Sequence, residues 1–477
     1  MVTNTTAATP VCTRCKEQEG VLDLRSDLVC RTCFATFVAS KTIKRLEVLQ
    51  RETRGTKLTS RPQRYLLALS RGPSSTALLH ILDENVRRQR EKSGRVKFEL
   101  VVVFVDIDVD VKQPEERKTT TSQPPGSDAT SPTPTNGTAT RACAGTARPS
   151  SESADTFAAH FPELTIHTVL LSSILSSPAI DWSLLPSQNT SLAPSQRLAD
   201  FFARLPSASA RADVSRLLIR HALYAAALAH ECAVILLGYT TTALAELTLS
   251  EAAKGRGFGI PWFVNDGAFP LPRAVDLDQA VSSIADVSRG LAYTGLADDE
   301  IASAGHPPTS IHIYSPLREI FRKEVLTYLS IVSSPSGPLA ALFPSLSTPQ
   351  NQGADERSGG AVVSHRDLSL DDVVTRFFTD AEASYPSVVA NVVRTTGKLN
   401  RLTPVLTTQQ TDAGAQVAGR QCRLCGVGLD PLGDERWKGE IGEVDVIASN
   451  IVSDADGSVR AERRGRLCYG CERSVRG

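Results

Sequence analysis

The sequence predicts an α/β protein: a mainly parallel sheet with helices on both faces, flanked at the two ends of the chain by cysteine-rich modules. Strand-length apolar runs alternate with helical patterns through the middle of the chain. Eight of the ten cysteines fall in four Cys-x-x-Cys pairs. The 477 residues are 41% apolar and 22% charged, ordinary globular usage with enough chain for several domains. With 52 Lys and Arg against 52 Asp and Glu, the formal net charge is zero, which excludes a uniformly polyanion-binding molecule. No apolar run reaches the roughly eighteen residues of a membrane span; Ala222 to Gly238 is broken by His230 and Glu231. Met1 to Thr6 has neither the basic start nor the apolar core of a secretory signal, so a cytoplasmic protein with no membrane contact is expected.

The N-terminal module, residues 1–50, carries Cys12, Cys15, Cys30 and Cys33, two knuckles separated by fourteen residues. In a reducing compartment such thiols are read as one zinc site, because two knuckles joined by a loop can converge four thiolates at about 2.3 Å from a tetrahedral ion. Phe34 to Leu49 then repeats apolar residues at helical spacing. Lys41, Lys44, Arg45, Arg51, Arg54, Lys57, Arg61 and Arg64 face only Glu47 and Glu52. A run with that excess can follow a phosphate backbone, although a solvated helix face is read from it equally well. Candidate RNA contacts are Lys41, Lys44, Arg45, Arg51, Arg54 and Lys57.

An α/β domain is expected over residues 51–332. Its strand candidates are Tyr65 to Leu69, Val96 to Val105, Leu164 to Leu171, Ala233 to Gly238 and Ser310 to Tyr314, with helices at Thr76 to Arg90 and Asp213 to Glu231. Residues 112–155, rich in Thr, Ser, Pro and Gly, are expected to be a disordered insertion. A second loop, 333–360, is expected to be flexible and to precede a helical segment, 361–410. The C-terminal module, 411–477, holds Cys422, Cys425, Cys468 and Cys471, with forty-two residues between its pairs; a second zinc ion is expected there. Asp106 and Asp108 are read as solvated strand-end carboxylates, and Cys232 as a small buried hydrophobe.

Between the first strand and its helix lies Ser70-Arg71-Gly72-Pro73-Ser74-Ser75, where backbone N–H groups and a helix N-terminus favour phosphate. This hexapeptide resembles the PP-loop of the ATP pyrophosphatase superfamily, Ser-Gly-Gly-x-Asp-Ser, and makes Ser70, Gly72, Ser74 and Ser75 the candidate nucleotide contacts. Arg71 replaces the first Gly, and Ser74 replaces the Asp. Cys30-Arg31-Thr32-Cys33-Phe34, Gly255-Arg256-Gly257, Pro316-Leu317-Arg318-Glu319, Tyr385-Pro386-Ser387-Val388-Val389 with Arg394-Thr395-Thr396-Gly397-Lys398-Leu399, and the terminal cysteine pairs follow in the order of one family. The chain is similar to the cytoplasmic tRNA 2-thiolation protein 2 family.

That resemblance implies a PP-loop-like sheet and a largely non-catalytic subunit. The subunit pairs with a catalytic tRNA 2-thiolation chain in a heterodimer that modifies the wobble uridine of cytosolic tRNAs. It implies sulfur from a thiocarboxylated ubiquitin-like modifier, and ATP bound by the partner. Catalytic relatives carry thiols before the helix near Asp213; this chain has Ser207-Ala208-Ser209-Ala210-Arg211-Ala212 there, so no catalytic residue is assigned. Arg460, Arg463, Arg464 and Arg466 are further candidate tRNA contacts. Two alternatives stay open: an active ATP-dependent tRNA sulfurtransferase, and a zinc-binding interaction scaffold.

Overall fold

The structure is a computed structural model that describes residues 10–53, 62–108, 157–186, 189–271, 310–343, 368–401, 421–429 and 467–477. The expected insertion at 112–155, Arg54, Lys57, Arg61 and the arginines from 460 to 466 lie outside the described residues. At the N-terminal end a short hairpin, β1 (Leu22–Leu24) and β2 (Asp27–Val29), turns through Arg25 at φ 64° and leads into α1 (Arg31–Thr53). Phe34, Val38, Leu46 and Leu49 form the buried stripe of this helix.

The sheet is built from β3 (Gln63–Ala68), β4 (Phe98–Asp106), β5 (Ile166–Leu170), β6 (Val234–Leu236), β7 (Gly267–Pro270) and β8 (Ser310–Tyr314). Its spatial order is β5-β4-β3-β6-β8-β7. The first five in that order are mutually parallel, and β7 closes one edge antiparallel to β8. Taken in chain order, the five parallel strands read 3-2-1-4-5, the doubly wound arrangement whose order reverses between β3 and β6. Burial on both faces explains why these strands are apolar runs with little alternation. On β3, Tyr65 and Leu67 enter one core and Leu66 the other; on β6, Val234 and Leu236 separate from Ile235 in the same way.

Helix α2 (Pro73–Ser93) starts three residues before the Thr76 start expected from the sequence, because Pro73 is preset for the first helical position; Gly94 in the left-handed region ends it. Together with α1 and α7 (Arg322–Ile331) it covers one face. The other face carries α3 (Pro194–Ala203), α4 (Ala208–Ala229), α5 (Thr241–Ala253), α6 (Ile260–Val264), α8 (Leu370–Ser384) and α9 (Pro386–Thr396). Helix α4 begins five residues before the expected Asp213, since the Ser207 hydroxyl caps it by accepting from the Ala210 N–H. Pro386, which lacks an N–H, divides α8 from α9.

Part of the loop expected at 333–360 is ordered: β9 (Ser333–Ser334) and β10 (Gly337–Pro338) form a tight hairpin, and Leu339 beyond it is buried. The C-terminal helix α10 (Tyr469–Arg476) packs against α4. Neither cysteine module stands apart from the sheet: Cys12 and Cys30 lie in the core under α1 and α2, while Cys422, Cys425 and Cys471 lie in the core with α4. Among the described residues, no helix is long and apolar enough to cross a membrane.

Candidate functional site at the switch point and the two cysteine centres

In a doubly wound sheet, ligands bind outside the carboxyl ends of the strands where the order reverses. Here that point lies between the loop after β3 and the loop after β6, and both are occupied by contacts within the chain. The Ser70 and Ser75 hydroxyls are 3.0 Å apart and hydrogen-bonded, and Ser75 Oγ also donates to the Gly72 carbonyl at 3.0 Å. Pro73 at the first helical position removes one of the amides a phosphate would use. Arg71 takes φ 58° and turns its guanidinium back onto the Phe104 ring, 3.9 Å from the centroid. Burial lowers its pKa, while nearby Asp106 acts in the opposite sense. From the other side Gly238 presses on the helix start, for a Cβ there would lie 2.9 Å from Ser75 Cα and N. Ser70, Gly72, Ser74 and Ser75, the candidate nucleotide contacts, thus lie in a loop that binds itself.

The turn after β6 is equally committed. Thr240, Thr241 and Thr242 are buried; Thr241 Oγ1 donates to the Arg318 carbonyl at 2.8 Å and Thr242 Oγ1 to Glu382 at 2.8 Å. This ties Pro316 to Ile320 and α8 over the end of the sheet, and Asp266 joins in by accepting from the Ser315 N–H and pairing with Arg318 at 2.9 Å. Asp108, expected as a solvated carboxylate, instead accepts from Ser172 N at 2.9 Å and Ser172 Oγ at 2.5 Å, fixing the chain after β5. Cys232 is buried as expected, and burial pushes its thiol up to about 11, away from reactivity.

The four cysteine pairs converge as two centres. Cys12, Cys15, Cys30 and Cys33 have sulfurs within 4.8 Å of one another, and so do Cys422, Cys425, Cys468 and Cys471. Cys15 and Cys30 sulfurs are 3.9 Å apart, and Cys425 and Cys468 are 3.8 Å apart. Burial would raise the Cys12 thiol, but surrounding backbone N–H groups and Cys15 bring it down to about 6. Sharing with Cys30, then burial, pushes Cys33 up to about 12. Thiols this close cannot all ionise against one another, and a dication is what lets them. Each set could therefore hold a metal ion through its four sulfurs.

A buried ionic cluster links the second centre to the sheet, and nothing in the linear sequence pointed to it beyond the Gly-Arg-Gly motif. Arg256 bonds Asp213, donates to Glu251 at 2.6 Å, and directs Nη1 at Cys471 Sγ, 3.8 Å away. Lys254 bridges Asp213 at 3.2 Å and Asp371 at 2.7 Å; Arg216 pairs with Asp213 at 2.9 Å and with Glu251. Ser474 of α10 donates to Asp213 at 2.7 Å. Burial alone would raise the Asp213 carboxyl, but Arg256, Arg216 and Lys254 hold it well below the usual carboxylate range. The region before Asp213, where catalytic thiols were sought in the sequence, is thus covered by the C-terminal helix and by α8, whose first N–H donates to Ser209 Oγ at 2.8 Å.

Of the expected basic contacts, Lys41 pairs with Glu319 at 3.1 Å, and Arg45 with Asp266 at 2.6 Å and Glu319 at 3.8 Å. Arg51 Nε donates to the Glu47 carbonyl at 3.4 Å within its own helix. Lys44 is exposed and has no ion-pair partner among the described residues. The run is therefore partly spent on internal acids that come from distant parts of the chain.

These features define a doubly wound α/β protein whose switch-point crevice is filled from within and whose two faces each incorporate a four-cysteine centre. The model of the family described as cytoplasmic tRNA 2-thiolation protein 2 matches residues 369–473, a span that includes α8, α9 and the second cysteine centre. A protein of that name from Sclerotinia sclerotiorum is 30% identical over 389 residues, covering 80% of this chain and 81% of the relative. One from Phaeosphaeria nodorum is 29% identical over 482 residues, covering 98% and 95%. The chain belongs to the cytoplasmic tRNA 2-thiolation protein 2 family, as its motifs suggested, and the family name carries the expected location. Among solved structures, the U34-tRNA thiolase NcsA from Methanococcus maripaludis with its [4Fe-4S] cluster aligns at 13% identity and TM-score 0.40, covering 87% of this chain and 95% of that one.

Proposed function

We propose that this chain is the largely non-catalytic, PP-loop-like subunit of a cytoplasmic heterodimer that 2-thiolates the wobble uridine of tRNAs. Its sister chain binds ATP and performs the transfer, with sulfur delivered by a thiocarboxylated ubiquitin-like modifier, while this chain helps to hold the tRNA. The observation that carries this reading is the switch point itself, where Ser70, Ser75, Gly72 and Gly238 satisfy and contact one another and Arg71 lies against Phe104. Thiolating a uridine demands activation of its carbonyl oxygen and a sulfur carrier at the reacting carbon. At the start of α4 this chain offers serines and alanines in place of thiols, under α10.

Both cysteine centres are assigned zinc. Four thiolates about 2.3 Å from one tetrahedral ion sit about 3.8 Å apart, which agrees with the Cys15–Cys30 and Cys425–Cys468 sulfurs at 3.9 and 3.8 Å. A four-iron cluster would spread its ligands over separate irons and hence further apart. Bound zinc would supply no redox chemistry here; it would fix the two knuckles of each centre against the sheet. The sulfurs of Cys12, Cys15, Cys30 and Cys33 would hold one ion, and those of Cys422, Cys425, Cys468 and Cys471 the other. Reconstitution of tRNA thiolation from the chain alone, the sister chain alone and the two together tests the reading: activity is expected from the pair and none from this chain by itself.

A further inference from the structure

In the N-terminal module a cavity of about 360 Å³ is lined by Arg14, Cys33, Phe37, Ser40, Lys41 and Lys44. Its construction differs from the rest of the basic run. Arg14 sits between Cys12 and Cys15, where its backbone N–H supports the Cys12 sulfur, while its guanidinium lies 4.7 Å over the Phe37 ring. Lys41 reaches the same ring at 5.7 Å while pairing with Glu319. Phe37 thus carries cation–π contacts from Arg14, Lys41 and also Arg25, which lies 5.2 Å from the ring centroid. Arg14 and Lys44 are both exposed and have no acidic partner among the described residues, in contrast to Arg45, which is held by Asp266.

The lining residues follow one stripe of α1. Ser40 and Lys44 lie one turn apart, with the exposed Thr36 one turn before them, so the polar stripe runs about 12 Å along the helix. A groove of that length with unpaired cations at its ends and hydroxyls between them suits a chain of phosphates better than one small anion. We propose that this groove is a seat for the phosphate backbone of RNA, with Arg14 and Lys44 each contacting a phosphate and Phe37 packing against Arg14 and Lys41. This deepens the proposed function and rests on its tRNA-holding role. The basic run is thereby divided: Arg45 serves the fold, whereas Lys44 and Arg14, the latter outside the run, serve the ligand.

The test is salt-dependent binding of fluorescently labelled tRNA to the full-length, metal-loaded chain and to its R14A/K44A and K44A variants. Losing two phosphate contacts should make the slope of log K against log salt shallower by about 1.5 and weaken binding about thirtyfold at 0.1 M salt relative to 1 M. K44A, well away from the knuckle, should remove about half of that slope change, and R14K/K44R should restore binding. Metal content equal to wild type verifies that the module remains intact. Wild-type binding with slope and affinity unchanged in both alanine variants would overturn the groove while leaving the tRNA-holding role in place. No tRNA binding by the wild-type chain, alone or with its sister subunit, would overturn that role and the groove with it.

Discussion

Replacing Arg256 by Met keeps the apolar stem of the side chain and removes the guanidinium and its charge from the buried ionic cluster. The arginine side chain is 2% exposed, and its partners Asp213 and Glu251 are 1% and 0% exposed. Removing one partner of a buried pair costs about 3–5 kcal/mol, because the remaining charge is stranded without water. Arg216 and Lys254 still reach Asp213 at 2.9 and 3.2 Å, so the lower end, about 3 kcal/mol, is expected. Met suits the space, since Gly470 comes so close to the Arg256 stem that a Cβ there would collide with it. Urea denaturation measures the loss. A second readout follows from the 3.8 Å contact to Cys471: the C-terminal ion should bind about tenfold more weakly, in the range seen when outer-shell partners of metal ligands are removed, with the N-terminal ion unaffected. Adding Asp213→Asn to the variant should cost less than it does in the wild-type background, since the two changes share one interaction. A loss under 1 kcal/mol with both ions retained as tightly as before would refute the view that this cluster fastens the C-terminal centre to the sheet.

The N-terminal centre makes a separate prediction: Cys30→Ser should lower the zinc content from two ions per chain to one, measured by elemental analysis under reducing conditions, and iron in place of zinc would count against the assignment. His80 makes another. Burial lowers its pKa to about 4, and its Nδ1 lies 2.9 Å from the Tyr328 hydroxyl. The folded state therefore holds it neutral while the unfolded chain binds a proton below about pH 6.5, so stability is full above that value and falls as the pH drops toward 4. His80→Gln should flatten this slope by up to about 1.4 kcal/mol per pH unit, of the order of 3 kcal/mol over the window; equal slopes in the two proteins would contradict it.

The parallel strands were legible because burial on both faces makes each an apolar run, and β6 needed only three buried residues, Val234 to Leu236, to be recognised. Their order was not legible, for it depends on which crossover goes to which side of β3. Strand β7 escaped because Gly-Ala-Phe-Pro has no alternation and becomes a strand only by pairing with β8. The Ser333–Pro338 hairpin has loop composition and is held by the burial of Leu339, a tertiary effect. The cysteine pairs announced two centres, yet the forty-two residues between Cys425 and Cys468 hid how the second would close on α4. The ionic cluster was invisible in the sequence, since Asp213, Glu251, Arg256, Asp371 and Ser474 meet only through packing. For the same reason the basic run looked uniformly free, although Glu319 and Asp266 from far along the chain neutralise part of it.

On the proposed function, the closed loop at Ser70 to Ser75 takes no part in the chemistry. This is tested most directly by measuring 2-thiouridine formation on tRNA by the reconstituted pair carrying Ser70→Ala in this subunit. Among the described residues the Ser70 hydroxyl bonds only within its own loop, so activity within twofold of wild type is expected. Thiolation by this chain without its sister subunit, abolished by Ser70→Ala, would contradict the account and make the chain an enzyme in its own right.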